Sequence, residues 1–99
     1  MTPFDILGFD SKRGVHITTY EQLKIVVGFA EENGFPDYCV DDYDWEEYPY
    51  LCLGKDESEM NANCDNQWLY SYLEFEDWYA ERIEKLNLNL NLGILSSLL

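Results

Sequence analysis

The chain has 99 residues, of which 46% are apolar and 16% aromatic, and its formal net charge is −14. This length indicates one domain, residues 1–99, and the aromatic content excludes the simple disorder of many highly charged chains. Because like charges repel, a pI near 4.1 excludes direct binding to nucleic acid or to an anionic membrane, and it favours basic proteins as partners.

The cysteines and the N-terminal residues predict a cytoplasmic protein. Cys39, Cys52 and Cys64 are odd in number and widely spaced, which is typical of free thiols in a reducing compartment. The first five residues contain neither a basic segment nor an apolar one, so we expect no signal peptide. No apolar run has the length of a membrane span.

The first eighteen residues predict a β-hairpin. Phe4–Phe9 is a short apolar segment, and the polar stretch Asp10–Gly14 ends in glycine, as hairpin connections often do. Val15–Thr18 is then the returning strand. It contains the single histidine, His16, which we expect to face outward or to be hydrogen-bonded.

A first helix is expected at about residues 19–33. Thr18 can cap it, Glu21 follows three residues later as in a capping box, and Gly34 ends it. Its main apolar face has helical spacing and consists of Tyr20, Leu23, Val26, Val27 and Ala30.

Three further strands and a second helix complete the predicted fold. We expect strands at Tyr48–Leu53, Glu59–Cys64 and Trp68–Tyr72, and a helix at about residues 74–87. The fold predicted from these elements is α+β, a small and mostly antiparallel sheet with two helices. The apolar face of the second helix is Phe75, Trp78, Tyr79, Arg82, Ile83 and Leu86.

A leucine-rich tail follows the second helix and includes residues 88–99. Alternation of leucine with asparagine favours a strand, whereas Leu88, Leu92, Leu95 and Leu99 would align on a helix. Both alternatives stay open. We expect the tail to pack on the core or on a second subunit.

The sequence contains no motif for catalysis, metal binding or a cofactor. The cysteines form no C-x-x-C pair, which structural zinc sites usually contain. The single histidine, His16, does not supply the nucleophile, base and orienting group that nucleophilic catalysis needs. A calcium-loop spacing begins at Asp42, but Glu47 stands at its glycine position and Leu53 at its closing glutamate position. We therefore expect no enzyme activity, no cofactor and no metal.

The negative charge is concentrated in residues 31–81. This stretch holds sixteen of the twenty acidic residues and one basic residue, Lys55, so its net charge is −15. Tyrosines and tryptophans alternate with the acids, and interfaces combine such aromatic anchors with steering charges. Since DNA carries one negative charge per roughly 1.7 Å of helix axis, carboxylates can imitate it. An acidic face that only confers solubility is the alternative.

The chain resembles small DNA-mimic inhibitors of phages and mobile elements in its size, its pI and the interleaving of Asp and Glu with Tyr and Trp. These include anti-restriction proteins, anti-CRISPR proteins and glycosylase inhibitors. The segments Ile17–Leu23, Asn33–Gly34, Tyr48–Leu51 and Leu73–Trp78 also resemble small phage accessory proteins, over about residues 15–80. The resemblance implies action in the cytoplasm of an infected host cell and carries over no individual residue.

The sequence thus predicts a non-enzymatic inhibitor that binds the basic surface of a nucleic-acid-handling host defence protein. A nuclease or a CRISPR or restriction component would be such a partner. The alternative is a phage structural or assembly module that forms a homodimer through residues 88–99. The predicted partner-binding residues are Asp41, Asp42, Tyr43, Asp44, Trp45, Glu46, Glu47, Asp56, Glu57, Glu59, Glu76, Asp77 and Glu81.

Overall fold

The computed structural model describes residues 2–36, 44–63, 67 and 69–84. Within these ranges the chain forms three helices and four strands. In chain order they are α1 (Pro3–Leu7), β1 (Arg13–His16), α2 (Tyr20–Glu32), β2 (Tyr50–Leu53), β3 (Met60–Asn63), β4 (Ser71–Glu74) and α3 (75–84).

The four strands form one mixed sheet in the order β3-β2-β1-β4. β2 is antiparallel to both β1 and β3, while β4 is parallel to β1. Val15 of β1 lies opposite Leu51 of β2 and Leu73 of β4. The predicted α+β class, with a mostly antiparallel sheet and two longer helices, is confirmed.

The predicted N-terminal hairpin is wrong, because Pro3–Leu7 is helical. Thr2 and Asp5 form a reciprocal capping box: the Thr2 hydroxyl accepts the Asp5 N–H at 3.2 Å, and the Asp5 carboxylate accepts the Thr2 N–H at 3.1 Å. Proline in the first turn and Gly8 in the left-handed conformation at the end define this helix. These local signals outweigh the alternation that suggested a strand.

The two longer helices lie within their predicted ranges. The cap of α2 is Thr19, one residue later than expected: its side chain accepts the Gln22 N–H at 3.1 Å. β4 lies at Ser71–Glu74 instead of 68–72, because its parallel pairing with β1 continues through Glu74. Residues 85–99, including the leucine-rich tail, lie outside the described residues.

The core lies between one face of the sheet and the helices. Val15, Leu51 and Leu53 point to this face and are at most 1% exposed. α2 contributes Leu23, Val26, Val27 and Ala30, while Tyr20, predicted to lie with them, is 39% exposed.

Trp78 of α3 connects the core to the N-terminal helix. It is 1% exposed, and its indole N–H donates to the Leu7 carbonyl oxygen at 2.7 Å. The rings of Phe9, Phe29 and Phe75 surround it at centroid distances of 6.2, 5.6 and 6.0 Å. α3 is therefore held in place from several sides by one side chain.

Replacing Trp78 by phenylalanine should lower the free energy of unfolding by about 2 kcal/mol or more. The change leaves the buried Leu7 carbonyl without its donor and removes packed atoms. Urea unfolding followed by circular dichroism measures the loss. Tyr79→Phe is the matched control, because Tyr79 lies on the same helix and is 41% exposed; equal stability of the two variants would contradict this role of Trp78.

Replacing each of two glycines by alanine should change the stability of the fold in opposite directions. Gly28 lies inside α2 with open space around an added Cβ, so Gly28→Ala should stabilise the chain by about 1 kcal/mol. At Gly14 an added Cβ would lie 2.8 Å from the Leu51 carbonyl oxygen, so Gly14→Ala should destabilise it. Thermal unfolding of both variants checks the two signs, and a shared sign would show that the space around one glycine is misassigned.

Candidate functional site

The strand register defines two ends of the sheet. His16, the last residue of β1, lies opposite Tyr50, the first residue of β2, and opposite Glu74, the last residue of β4. The end where β1 and β4 finish is therefore the end where β2 begins. The opposite end contains the loop before β1 and the β2–β3 turn at residues 54–59.

Three acidic segments lie at the first of these ends. The turn at residues 44–47 leads into β2, a connection of three residues joins β1 to α2, and α3 begins directly after β4. The Gln22 amide donates to the Glu76 carboxylate at 3.4 Å, so the starts of α2 and α3 are in contact. We call this region the acidic end, and its carboxylates are Glu21, Asp44, Glu46, Glu47, Glu74, Glu76 and Asp77.

The structure thus places two groups of the predicted partner-binding residues at the same end of the sheet. They are residues 44–47, which precede β2, and Glu76 and Asp77, which lie at the start of α3. Asp41, Asp42 and Tyr43 lie outside the described residues. Every carboxylate of the acidic end is exposed. Among the described lysines and arginines only Lys24 forms an ion pair there, with Glu21, and His16 is hydrogen-bonded to Glu74.

Two residues of the turn at 44–47 also maintain the local fold. Asp44 closes the turn: its carboxylate accepts the Glu47 N–H at 3.3 Å and its carbonyl accepts the Tyr48 N–H at 2.8 Å. Trp45, predicted as a contact residue, is partly buried and packs against the core. Glu46 and Glu47 are exposed, and no described group bonds to their carboxylates.

A structural role also exists for the acids of the helix starts. Glu21 lies in the first turn of α2, and Glu76 and Asp77 lie in the first turn of α3. Negative side chains at these positions interact favourably with the partial positive charge of a helix N-terminus. Because both helices begin at the same end, this preference itself draws carboxylates into the acidic end.

The predicted partner-binding residues Asp56, Glu57 and Glu59 lie at the opposite end, in the β2–β3 turn. The Asp56 carboxylate accepts the Ser58 hydroxyl at 2.8 Å and the Ser58 N–H at 3.2 Å, and these bonds lower the pKa of Asp56 below 3.8. Glu57 is partly buried and adopts a left-handed φ of 59°. Glu59 is exposed in the same turn. Glu81, on α3, is exposed beyond the first turn of the helix.

Basic residues also lie at this opposite end. Lys12 and Arg13 stand in the loop before β1 and at its start, and Lys55 stands in the β2–β3 turn. The Arg13 guanidinium donates to the Asp10 carboxylate, with Nε at 3.0 Å. The negative charge of this end is therefore partly neutralised within the chain, in contrast to that of the acidic end.

A cluster of aromatic residues with one carboxylate occupies the sheet face that points away from the core. His16 Nδ1 lies 2.8 Å from Glu74 Oε2. The His16 ring stacks on Tyr50 at 4.7 Å, and the Tyr72 ring meets Tyr50 edge-on at 5.2 Å. We call His16, Tyr50, Tyr72 and Glu74 the aromatic cluster.

This cluster was not predicted from the sequence. His16 was expected to face outward or to be hydrogen-bonded, but Glu74 fell within the helix predicted at about residues 74–87, whereas it ends β4. The two residues are 58 positions apart and meet only through the parallel pairing of β1 with β4. No local pattern indicates that pairing, since the intervening elements separate the two strands.

The described ranges contain neither a candidate metal site nor a membrane-spanning helix. No group of three or more His, Cys, Asp or Glu side chains in them is arranged to hold a metal ion. None of the described helices combines the length and the apolar character that crossing a bilayer requires. Cys52 is buried, while Cys39 and Cys64 lie outside the described residues.

The chain matches no protein-family model, no curated protein and no solved structure.

Acid should weaken the fold through Asp10. Burial alone would raise the pKa of Asp10, but bonds from the Arg13 side chain and from the Lys12 and Arg13 N–H groups outweigh it and lower the pKa below 3.8. Folding thus favours the ionised form, so this stabilisation is present above about pH 4 and is lost as pH falls through the lowered pKa.

Asp10→Asn should therefore cost about 1–2 kcal/mol at neutral pH and progressively less below about pH 4. Urea unfolding at a series of pH values measures the difference from the wild type. Glu59→Gln is the control, because no described group bonds to that exposed carboxylate. A difference for Asp10→Asn that stays constant through the acid range would contradict the assignment.

Proposed function

We propose that this protein is a non-enzymatic inhibitor whose acidic end binds the basic surface of a nucleic-acid-handling host defence protein, in the manner of a DNA mimic. One observation supports the proposal most directly. The carboxylates of the acidic end converge from three separate segments and are barely neutralised within the described chain, whereas Lys12, Arg13 and Lys55 lie at the other end.

Such an arrangement has a physical cost. Like charges at one end repel one another and destabilise a small domain, and the helix dipoles offset only part of this repulsion. A basic partner would remove the repulsion and gain the Coulombic attraction. Because the charge is at one end, the field would also orient the protein during its approach.

Exposed aromatic rings accompany these charges. Tyr48 precedes β2 and is 40% exposed, and Tyr20 begins α2 and is 39% exposed. Tyrosine supplies contact area at a low entropic cost, whereas charges around it increase the association rate. This mixture supports a protein partner and is more than a solvated face requires.

The proposal includes no catalysis, no cofactor and no metal, and it places the protein in the cytoplasm of a host cell. The partner would be a nuclease or a CRISPR or restriction component. The acidic end would occupy the channel that otherwise holds nucleic acid. Of the predicted contact residues, Glu46, Glu47, Glu76 and Asp77 carry the proposal, whereas Asp56 and Glu57 belong to the β2–β3 turn.

The test compares two variants with the same change in net charge. Glu46→Lys with Glu47→Lys reverses the acidic end. Glu31→Lys with Glu32→Lys makes the same change at the exposed C-terminus of α2, a helix of 13 residues and therefore about 20 Å long. Lysine is favourable at a helix C-terminus, so the control should remain folded.

A basic protein captured from host lysate at low salt is identified, and its affinity for the wild type and both variants is measured by calorimetry. We expect the first variant to bind at least about tenfold more weakly and the control to bind nearly as the wild type does, because close charge pairs contribute most. Equal weakening of both variants would show that only net charge matters and would contradict the proposed site.

A further inference from the structure

The aromatic cluster provides a second, more specific feature next to the acidic end. Val15, Leu51 and Leu73 are paired across β1, β2 and β4 and point to the core or pack against it. Side chains alternate between the faces of a sheet, so His16, Tyr50 and Glu74, one position along, point to the other face. Tyr72, two positions before Glu74, shares that face.

These side chains are held in place and yet accessible. The Glu74 side chain is 49% exposed and that of His16 is 23% exposed, although the two are hydrogen-bonded. Tyr72 is 38% exposed, and its ring lies 5.2 Å from Tyr50 and 6.0 Å from His16. The bond from His16 engages Oε2 of Glu74, and no described group bonds to Oε1.

Cations of this chain are placed over aromatic rings elsewhere. Arg13 lies 3.6 Å from the centroid of Phe4, Lys24 lies 5.1 Å from that of Tyr20, and Lys12 lies 5.9 Å from that of Tyr70. No lysine or arginine of the described residues lies over Tyr72 or forms an ion pair with Glu74. The Tyr72 ring and the Glu74 carboxylate of the cluster are therefore not in contact with these cations.

We propose that the aromatic cluster binds an arginine side chain of the protein partner. This inference rests on the proposed function, which supplies the basic surface. The guanidinium is planar and weakly hydrated, so it can stack on the Tyr72 ring while its N–H groups bond to Glu74 Oε1. His16 is a positioning residue, because its bond to Oε2 fixes the carboxylate beside the ring.

Arginine fits this site better than lysine. A lysine ammonium is a compact and strongly hydrated charge that cannot stack, whereas a guanidinium uses the ring and the carboxylate at the same time. The other carboxylates of the acidic end, such as Glu46 and Glu47, offer charge without a neighbouring ring cluster of this kind. Those positions should accept either cation, and only the aromatic cluster should discriminate between them.

The test uses two short peptides of equal length and charge, one carrying arginines and one carrying lysines. Each is titrated into the isotope-labelled full chain, and NMR chemical shifts are followed. We expect the arginine peptide to shift the side-chain signals of His16, Tyr72 and Glu74, and the lysine peptide to shift them much less. Equal shifts with both peptides would overturn the proposal.

Variants locate the effect. Tyr72→Ala and Glu74→Gln should each weaken the binding of the arginine peptide by about two- to fivefold. Tyr72→Phe should restore it, because the ring remains. Tyr70→Ala is the matched control, since Tyr70 is 85% exposed two residues earlier. Equal weakening by Tyr70→Ala, or unchanged binding by Glu74→Gln in a chain with wild-type circular dichroism, would overturn the site.

The outcomes separate this inference from the proposed function. If the arginine peptide binds at Tyr72 while reversal of Glu46 and Glu47 leaves the captured partner bound, the arginine site is supported and the proposed function fails. If the reversal abolishes partner binding while neither peptide affects Tyr72, the proposed function is supported and the arginine site is overturned.

Discussion

The hydrogen bond from the buried Trp78 indole to the Leu7 carbonyl fixes the position of α3, and the arrangement of charge depends on that position. The bond joins residues 71 positions apart and links α1 to α3. Phe9, Phe29 and Phe75 pack around the same ring. With α3 held in this way, its first turn contacts the first turn of α2. Both helix starts lie at the end of the sheet where the turn at residues 44–47 leads into β2.

The core must therefore stabilise the fold against the repulsion at the acidic end. Each helix start contributes some compensation, because its unpaired N–H groups favour nearby carboxylates. The opposite end of the sheet needs less compensation for charge repulsion, since Arg13 forms an ion pair with Asp10 there. Among the described residues the charge is therefore unevenly distributed, and under the proposed function the acidic end would face a basic partner first. The aromatic cluster adjoins that end through Glu74 and could then make the contact specific.

The elements that were predicted correctly have local causes. α2 and α3 have apolar spacing of helical period, and capping residues or acids at their starts. α1 was not predicted, although Thr2, Pro3 and Asp5 are the residues of a helix start. The alternation of Phe4–Phe9 indicated a strand instead. Strand pairing has no such local cause: parallel β1 and β4 are joined by more than fifty residues. The His16–Glu74 contact follows from that pairing, and the position of residues 56–59 at the end opposite to residues 44–47 follows from the pairing of β2 with β1 and β3. Neither could be predicted.

Whether the acidic end occupies a nucleic-acid channel is tested most directly by mixing the protein, its captured partner and a labelled DNA duplex. Analytical ultracentrifugation at several salt concentrations resolves the species that form. The proposed mechanism predicts that the partner carries either the duplex or this protein at every salt concentration, because both need the same basic surface. A ternary complex of all three would contradict it.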